Sequence, residues 1–230
     1  MTTVLLIRHG RTKANTDGLL AGWTPGVMLD EAGEKQAIAL GERVAGLPLA
    51  AVVSSPLERT LQTTSMMLRA GRLATPVHED SRVGECHYGD WTGASLKTLA
   101  KDPMWKVVQG HPSAAVFPGA DGESMAQMQA RAVSAVRSWN ERLGEDALYA
   151  VVSHGDVIKA ILADAMGMHL DQFQRIVVNP CSVSVVNYTP LRPFIERTND
   201  TGGSLSGLLP KKAGKRARSS DAAVGGGSGS

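Results

Sequence analysis

Short apolar runs alternate along this chain with stretches of helical period. Residues 3–7 are almost wholly apolar and rich in leucine and β-branched side chains, which predicts a buried strand in a central, parallel position. After Asp30, a helix N-cap, the apolar positions Ala37, Leu40 and Val44 recur at helical spacing. Residues 50–53 form a second short strand that ends at Ser54-Ser55, and Pro56 suits the first turn of a following helix. That helix carries Leu57, Leu61, Thr64, Met67 and Leu68 on one face. Residues 76–78 read as an edge strand. Residues 82–118 show no sustained period and read as irregular loop with a short helix near Leu96. A long helix follows over about 123–142, with Met125, Met128, Ala132, Val136 and Trp139 on one face. Residues 147–153 predict a third buried strand, 157–166 another helix, and 183–188 a late strand with 193–197 as its partner. This alternation predicts an α/β fold: a three-layer α/β/α sandwich around a mostly parallel central sheet.

The pattern stops near residue 198. Residues 1–197 read as one domain, and residues 198–230 as a disordered, basic tail rich in glycine and serine that buries too little apolar surface to order itself. The last six positions, 225–230, are only Gly and Ser and read as linker. This division changes the meaning of the net charge of +2. The tail holds Lys211, Lys212, Lys215, Arg216 and Arg218 against Asp200 and Asp221. Of the 24 basic and 22 acidic side chains, 19 and 20 remain for the domain, which therefore offers nucleic acid no excess positive charge. No apolar run approaches the roughly 20 residues that span a bilayer, so no membrane association is expected. No secretory signal is visible at the start, and the two cysteines, Cys86 and Cys181, are far apart and form no framework or metal motif. A reducing, cytoplasmic setting is the expectation.

The chemistry concentrates where strands end. Arg8-His9-Gly10 directly follows the first strand, and His154-Gly155 directly follows the third, the place where open α/β sheets build ligand sites. A neutral imidazole at His9 can attack phosphorus, and the guanidinium of Arg8 can hold phosphoryl oxygens while disfavouring protonation of its neighbour. A buried histidine that only donates hydrogen bonds would account for a lone His. A His-Gly pair at a strand end, flanked by arginine, points to chemistry instead. Arg59 would project from the first turn of a helix beginning at the same sheet edge, unless it is a solvated arginine paired with Glu58 or Glu31. His154, if protonated, is a second cationic clamp, with the N–H of Gly155 beside it. Glu85 lies in a glycine-rich loop and can serve as general acid and then base, a role for which Asp90 competes. Transfer of a phosphoryl group needs just such a set: a nucleophile, several cations, backbone N–H groups and one proton donor.

With these residues in place, the chain resembles the histidine phosphatase superfamily in its phosphoglycerate mutase-like branch. The resemblance spans roughly residues 3–190. It rests on Arg8-His9-Gly10 with Asn15, on Gly22-Trp23 and Leu29-Asp30-Glu31-Ala32-Gly33, and on Ser54-Ser55-Pro56 through Arg59-Thr60. It rests also on Glu85 with Gly89-Asp90-Trp91 and Gly93, and on Ser153-His154-Gly155. The resemblance implies a phosphohistidine on His9, a phosphate pocket of Arg8, Arg59 and His154, Glu85 as proton donor, and Asn15 and Thr16 at the pocket entrance. It implies neither metal nor other cofactor. Arg11 stands where the family usually has an acid, and Thr92 where it often has Glu. Both departures are expected to alter surroundings, not chemistry. Cys86 beside Glu85 reads as a packing residue.

Three functions are compatible with this set. The first is a phosphomonoesterase that hydrolyses a small phosphorylated metabolite through His9. The second is a phosphoglycerate-type mutase. Such mutases carry a longer insertion before the second histidine, favour Asn where this chain has Asp156, and need extra cations over the pocket. Between Glu85 and His154 those could only be Lys97, Lys101, Lys106, Arg131, Arg137 and Arg142. The third is a non-catalytic phospholigand-binding protein on the same fold. The phosphatase is favoured, with specificity expected from the 85–120 loop, including Trp91, Trp105, His111 and Phe117. The expected partner is a small phosphorylated substrate, and a homodimer is left open.

Overall fold

The computed structural model describes residues 1–202 and Gly225. Six strands form one sheet: β1 (Thr2–Arg8), β2 (Val52–Ser54), β3 (Val77–Glu79), β4 (Leu148–Ser153), β5 (Val183–Tyr188) and β6 (Pro193–Asp200). Their order is β3-β2-β4-β1-β5-β6. The pairings from β3 through β1 are parallel, and β5 and β6 add antiparallel to them. β1 is central because both of its faces are apolar. Val4 and Leu6 enter one core cluster, Leu5 and Ile7 the other.

Helices cover both faces. Beside short α1 (Lys13–Asp17), helices α2 (Glu31–Val44) and α3 (Glu58–Gly71) pack with Leu5, Ile7, Val52, Ala150 and Val152. On the opposite face α6 (Met125–Leu143) and α7 (Gly155–Ala165) pack with Val4, Leu6, Val53, Tyr149 and Val151. This is the expected three-layer sandwich. Asp30 caps α2 by accepting from the Gly33 N–H, and Ser124 with Gln127 forms a capping box on α6. Glycine sets the spacing of α2 and α3. A Cβ on Gly41 would stand 2.4 Å from the Met67 carbonyl oxygen, so only glycine allows this approach.

Four features differ from the sequence reading. Helix α3 begins at Glu58 with Leu57 as a cap lacking a side-chain bond, so Pro56 precedes it. The stretch expected to be irregular holds, besides α4 (Leu96–Leu99), a second helix, α5 (Pro103–Gly110), capped by Asp102 with Pro103 in its first turn. Eight residues are too few for a legible period. Trp91, Trp105 and Phe117 do not line a substrate loop. They are buried and mutually packed, with ring centroids 6.2 Å (Trp91–Trp105) and 5.5 Å (Trp91–Phe117) apart. His111 is exposed beside Asp171.

β6 runs past Arg197 to Asp200, because Asp200 pairs with Val183 and its carboxylate takes the Arg43 guanidinium at 2.9 Å. Asn199 accepts from the Asn179 N–H. The basic cluster Lys211 to Arg218 lies outside the described residues. A chain ended at Arg197 loses these bonds. Compared with a chain ended at Gly202 it should be less stable by about 1–2 kcal/mol. Thermal denaturation should show this as a Tm lower by roughly 2–8 °C.

Candidate active site

Three neighbouring parallel strands end together. Arg8 is paired with Ser153 and Ser54 with Val152, so the residues that follow β1, β4 and β2 emerge at one edge. The His9 N–H donates to the Ser153 carbonyl at 3.0 Å, and the Ser55 N–H to the Val152 carbonyl at 3.0 Å. His9, Ser55 and His154 therefore project from adjacent strand ends, although they are far apart in the chain. The rings of His9 and His154 meet edge to face, with centroids 5.3 Å apart and planes at 60°.

Hydrogen bonds define the state of each imidazole. His9 Nδ1 lies 2.7 Å from the Gly10 carbonyl oxygen, which can only accept, so Nδ1 carries the proton and Nε2 keeps its lone pair. The Gly10 N–H is held by Thr63 Oγ1 at 3.0 Å. Gly10 also abuts the start of α2, where a Cβ would stand 2.7 Å from the Gly33 carbonyl oxygen. His154 Nδ1 faces the Arg59 guanidinium at 3.3 Å and Nε2 faces Ser55 Oγ at 2.8 Å. A guanidinium only donates, so His154 Nδ1 accepts and its proton sits on Nε2. Burial, reinforced by Arg59 and Arg8, pushes both histidines well below their ordinary range. His154 is thus a neutral donor in this structure and not an imidazolium clamp.

Arg8 and Arg59 are almost wholly buried. Arg8 donates to the Val178 carbonyl at 2.7 Å and Arg59 to the Gly22 carbonyl at 2.8 Å. Arg59 Nη1 is buried without a hydrogen-bond partner among the described residues. Burial lowers both guanidinium pKa values, that of Arg8 to about 10, which leaves Arg8 charged at neutral pH. Glu85 is buried with its Oε2 3.7 Å from His154 Nδ1. Burial and then the nearby Asp156 carboxylate push Glu85 up to about 7, against the pull of Arg59 and Arg8.

His9, Arg59, Glu85 and Asn15 line one cavity with Thr12, Leu20, Gly22, Tyr88 and Leu96. Thr16 is not among these residues. It is exposed and turns its hydroxyl back to the Lys13 carbonyl, while Thr12 takes the place at the wall. Asp90 is exposed and lies outside the cavity, which leaves Glu85 as its carboxylic acid. Gly155 is buried as the first residue of α7. Arg11 reaches Asp30 at 2.7 Å and so braces the cap of α2.

Several residues escaped the sequence reading. Asp156 is fully buried and accepts from the Tyr88 hydroxyl at 3.0 Å. Arg131, counted before only as a cation on the long helix, reaches the loop carrying Glu85. It donates to the carbonyls of Arg82 (2.8 Å), Gly84 (2.9 Å) and Glu85 (2.8 Å), and pairs with Glu123. Trp23 donates to the same Glu85 carbonyl at 2.7 Å and stacks on His87. Only Gly22-Trp23 had a local signal. Cys86 is buried and its thiol is pushed up by that burial, which makes it a packing residue.

The histidine phosphatase superfamily (branch 1) model matches residues 4–201, and the chain belongs to this family. It is 30% identical over 189 residues to 2,3-bisphosphoglycerate-dependent phosphoglycerate mutase 2 of Gloeobacter violaceus, covering 79% of this chain and 83% of the relative. Among solved structures it resembles Bacillus stearothermophilus YhfR (TM-score 0.79, 29% identity), with 87% of this chain and 98% of that one covered. It also resembles the alpha-ribazole phosphatase of Shigella flexneri (TM-score 0.74, 25% identity, 86% and 96% covered).

Replacing Arg131 by Met strands the loop carbonyls and leaves Glu123 unpaired. Stability should fall by about 2–3 kcal/mol. The measurement is a thermal melt, in which Tm should drop by roughly 4–12 °C.

Proposed function

We propose that the chain is a phosphomonoesterase that hydrolyses a small phosphorylated metabolite through a phosphohistidine on His9. The carrying observation is the convergence of His9, Arg59 and Glu85 on one cavity, with the His154 ring against that of His9 and His9 Nε2 unprotonated. In the first step Nε2 attacks phosphorus and the P–O bond to the leaving group breaks. Glu85, protonated below about pH 7, gives its proton to the departing oxygen. In the second step the Glu85 carboxylate takes a proton from water, the water oxygen attacks phosphorus, and the P–N bond breaks. His9 returns to its starting form and phosphate leaves.

Arg8 and Arg59 supply positive potential and donors for the equatorial oxygens, and His154, neutral with its Nε2–H on Ser55 Oγ, stands beside them as a further donor. Asn15 belongs to the substrate-binding wall, and Gly155 lies behind it, buried at the start of α7 beside His154. His9 needs no base, because its proton sits on Nδ1, which donates to the Gly10 carbonyl, and Nε2 is already free of one. No metal or other cofactor enters this scheme. The two cysteines are free and buried, which supports work in a reducing, cytoplasmic setting.

A second reading, phosphoglycerate mutase, is favoured by the 30% identity to a named mutase. The lining of the cavity weighs against it. Leu19, Leu20, Ala21, Gly22 and Leu96 make up much of it, where a bisphosphorylated intermediate would need cations. Arg131 is bound to Glu123, Arg137 to Asp164, and Arg142 lies over the Trp139 ring.

Substitution of His9 by Ala should reduce turnover of p-nitrophenyl phosphate by several orders of magnitude, read as released nitrophenol. Retained turnover would assign the attack to another group. Glu85→Gln should slow an alkyl phosphate by about 10²–10⁴, and p-nitrophenyl phosphate far less, since only a poor leaving group needs the proton. Equal losses would remove Glu85 from the acid role.

The wild-type pH profile supplies an independent check. Its sign follows from a carboxyl raised to about 7, whose acid form disappears as pH rises. For alkyl phosphates, kcat/KM should therefore fall above about pH 7, and Glu85→Gln should remove that limb. Free phosphate released from a panel of phosphorylated metabolites separates hydrolysis from transfer, with 3-phosphoglycerate and its bisphosphate included.

A further inference from the structure

Gly10 joins two peptide units, and each is held at both ends. In the first, the Gly10 N–H donates to Thr63 Oγ1 at 3.0 Å and the His9 carbonyl accepts from the Cys181 N–H at 3.3 Å. In the second, the Gly10 carbonyl accepts the His9 Nδ1 proton across 2.7 Å, and the Arg11 N–H donates to Gln36 Oε1 at 3.0 Å. Gln36 therefore stands a single peptide away from the nucleophile's proton, although 25 residues separate it from Arg11 in the chain. It does not line the cavity.

The start of α2 brings it there. The Asp30 N–H donates to the Arg11 carbonyl at 3.0 Å. Gly33 approaches the same residue so closely that a Cβ would stand 2.0 Å from the Arg11 carbonyl oxygen and 2.8 Å from the Arg11 nitrogen. Gln36 follows Gly33 by three positions, on the same helix face. Asp30, Gly33 and Gln36 thus address one backbone segment. A peptide unit is planar, so an acceptor on its N–H fixes the direction of its C=O, and each of the two bonds polarises the other. Here that C=O decides which nitrogen of His9 carries the proton. If it tips away, nothing favours Nδ1–H, and a proton on Nε2 removes the lone pair that attacks.

We propose that Gln36 is a positioning residue for the nucleophile: by holding the Arg11 N–H it aims the Gly10 carbonyl at His9 Nδ1 and keeps Nε2 bare. The consequence for turnover rests on the phosphatase reading above; the consequence for the His9 tautomer does not.

The test uses three variants of the full chain. Gln36→Met keeps the length of the side chain and deletes the acceptor. Gln36→Glu keeps an acceptor oxygen. Arg11→Met removes the Asp30 ion pair from the same segment but leaves the main-chain N–H in place. With p-nitrophenyl phosphate, Gln36→Met should lower kcat/KM by about 5- to 30-fold, the weight of one lost hydrogen bond and its stranded donor. Inhibition by inorganic phosphate should not change, because the phosphate contacts remain. Gln36→Glu should restore most of the rate, and Arg11→Met should leave it unaltered. An unaltered rate in Gln36→Met, or an equal loss in Gln36→Glu or Arg11→Met, would overturn the proposal. Gln36→Asn, whose oxygen falls a methylene short, should match Gln36→Met and replaces it if that variant does not fold.

Heteronuclear NMR of the His9 ring nitrogens needs no turnover. The wild-type ring should show a protonated Nδ1 and a bare Nε2. In Gln36→Met the two signals should move towards each other as the second tautomer becomes populated, and Gln36→Glu should return them. Identical ring spectra for the wild type and Gln36→Met would overturn the positioning role. Should the protein hydrolyse no phosphoester at all, the phosphatase reading fails and the ring spectra alone decide the role of Gln36.

Discussion

Everything at the active site follows from two buried guanidinium groups, Arg8 at the end of β1 and Arg59 in the first turn of α3. Burial of a charge is costly, and here it is offset by backbone carbonyls and by carboxylates within the same shell. Arg8 donates to Val178 and Arg59 to Gly22, while Glu85 raises the pKa of each. Burial first, and then the positive potential they create, keeps His9 and His154 neutral. A neutral imidazole is what nucleophilic attack needs, and a concentration of positive charge is what a phosphoryl group needs. One electrostatic arrangement therefore serves both demands.

The carboxylates divide the opposite task. Glu85 alone, surrounded by arginines, would ionise readily. Burial and Asp156 reverse that tendency and leave it titrating close to neutrality. Asp156 thus has a place in the site although it does not line the cavity. Its carboxylate adds to burial in raising the proton affinity of Glu85 and accepts from Tyr88 and Gly225. Arg131 and Trp23 fix the Glu85 backbone from two directions. The acid is positioned by a helix and a loop that are remote in sequence from it and from each other.

The sheet was legible because its central strands are apolar on both faces, a pattern that needs no knowledge of the partner. The chemistry at the strand ends was legible because His-Gly twice follows such a run. Less was legible between residues 82 and 118. Its tryptophans and Phe117 carry no label distinguishing a substrate wall from a core, and they packed inward as a cluster. The lining of the cavity came instead from residues 18–22 and Leu96, which are small or apolar and attract no notice in a sequence. Thr16 and Thr12 are equally plausible by type. Only the cap of α1, where Thr12 accepts from Asn15, decides which one faces the cavity.

The amino-acid sequence by itself determined the layered α/β architecture, the strand ends that carry reactive groups, and the residue types able to handle phosphorus. These depend on hydrophobic period and on chemistry local to a few positions. Tertiary structure alone decided the protonation of His154, the elevated pKa of Glu85, the bracing by Arg131 and the seat of Gly225 against Asp156. Each of these depends on which charges and dipoles lie within a few ångströms after folding, and on how completely water is excluded. Neither distance nor dielectric is written along a chain.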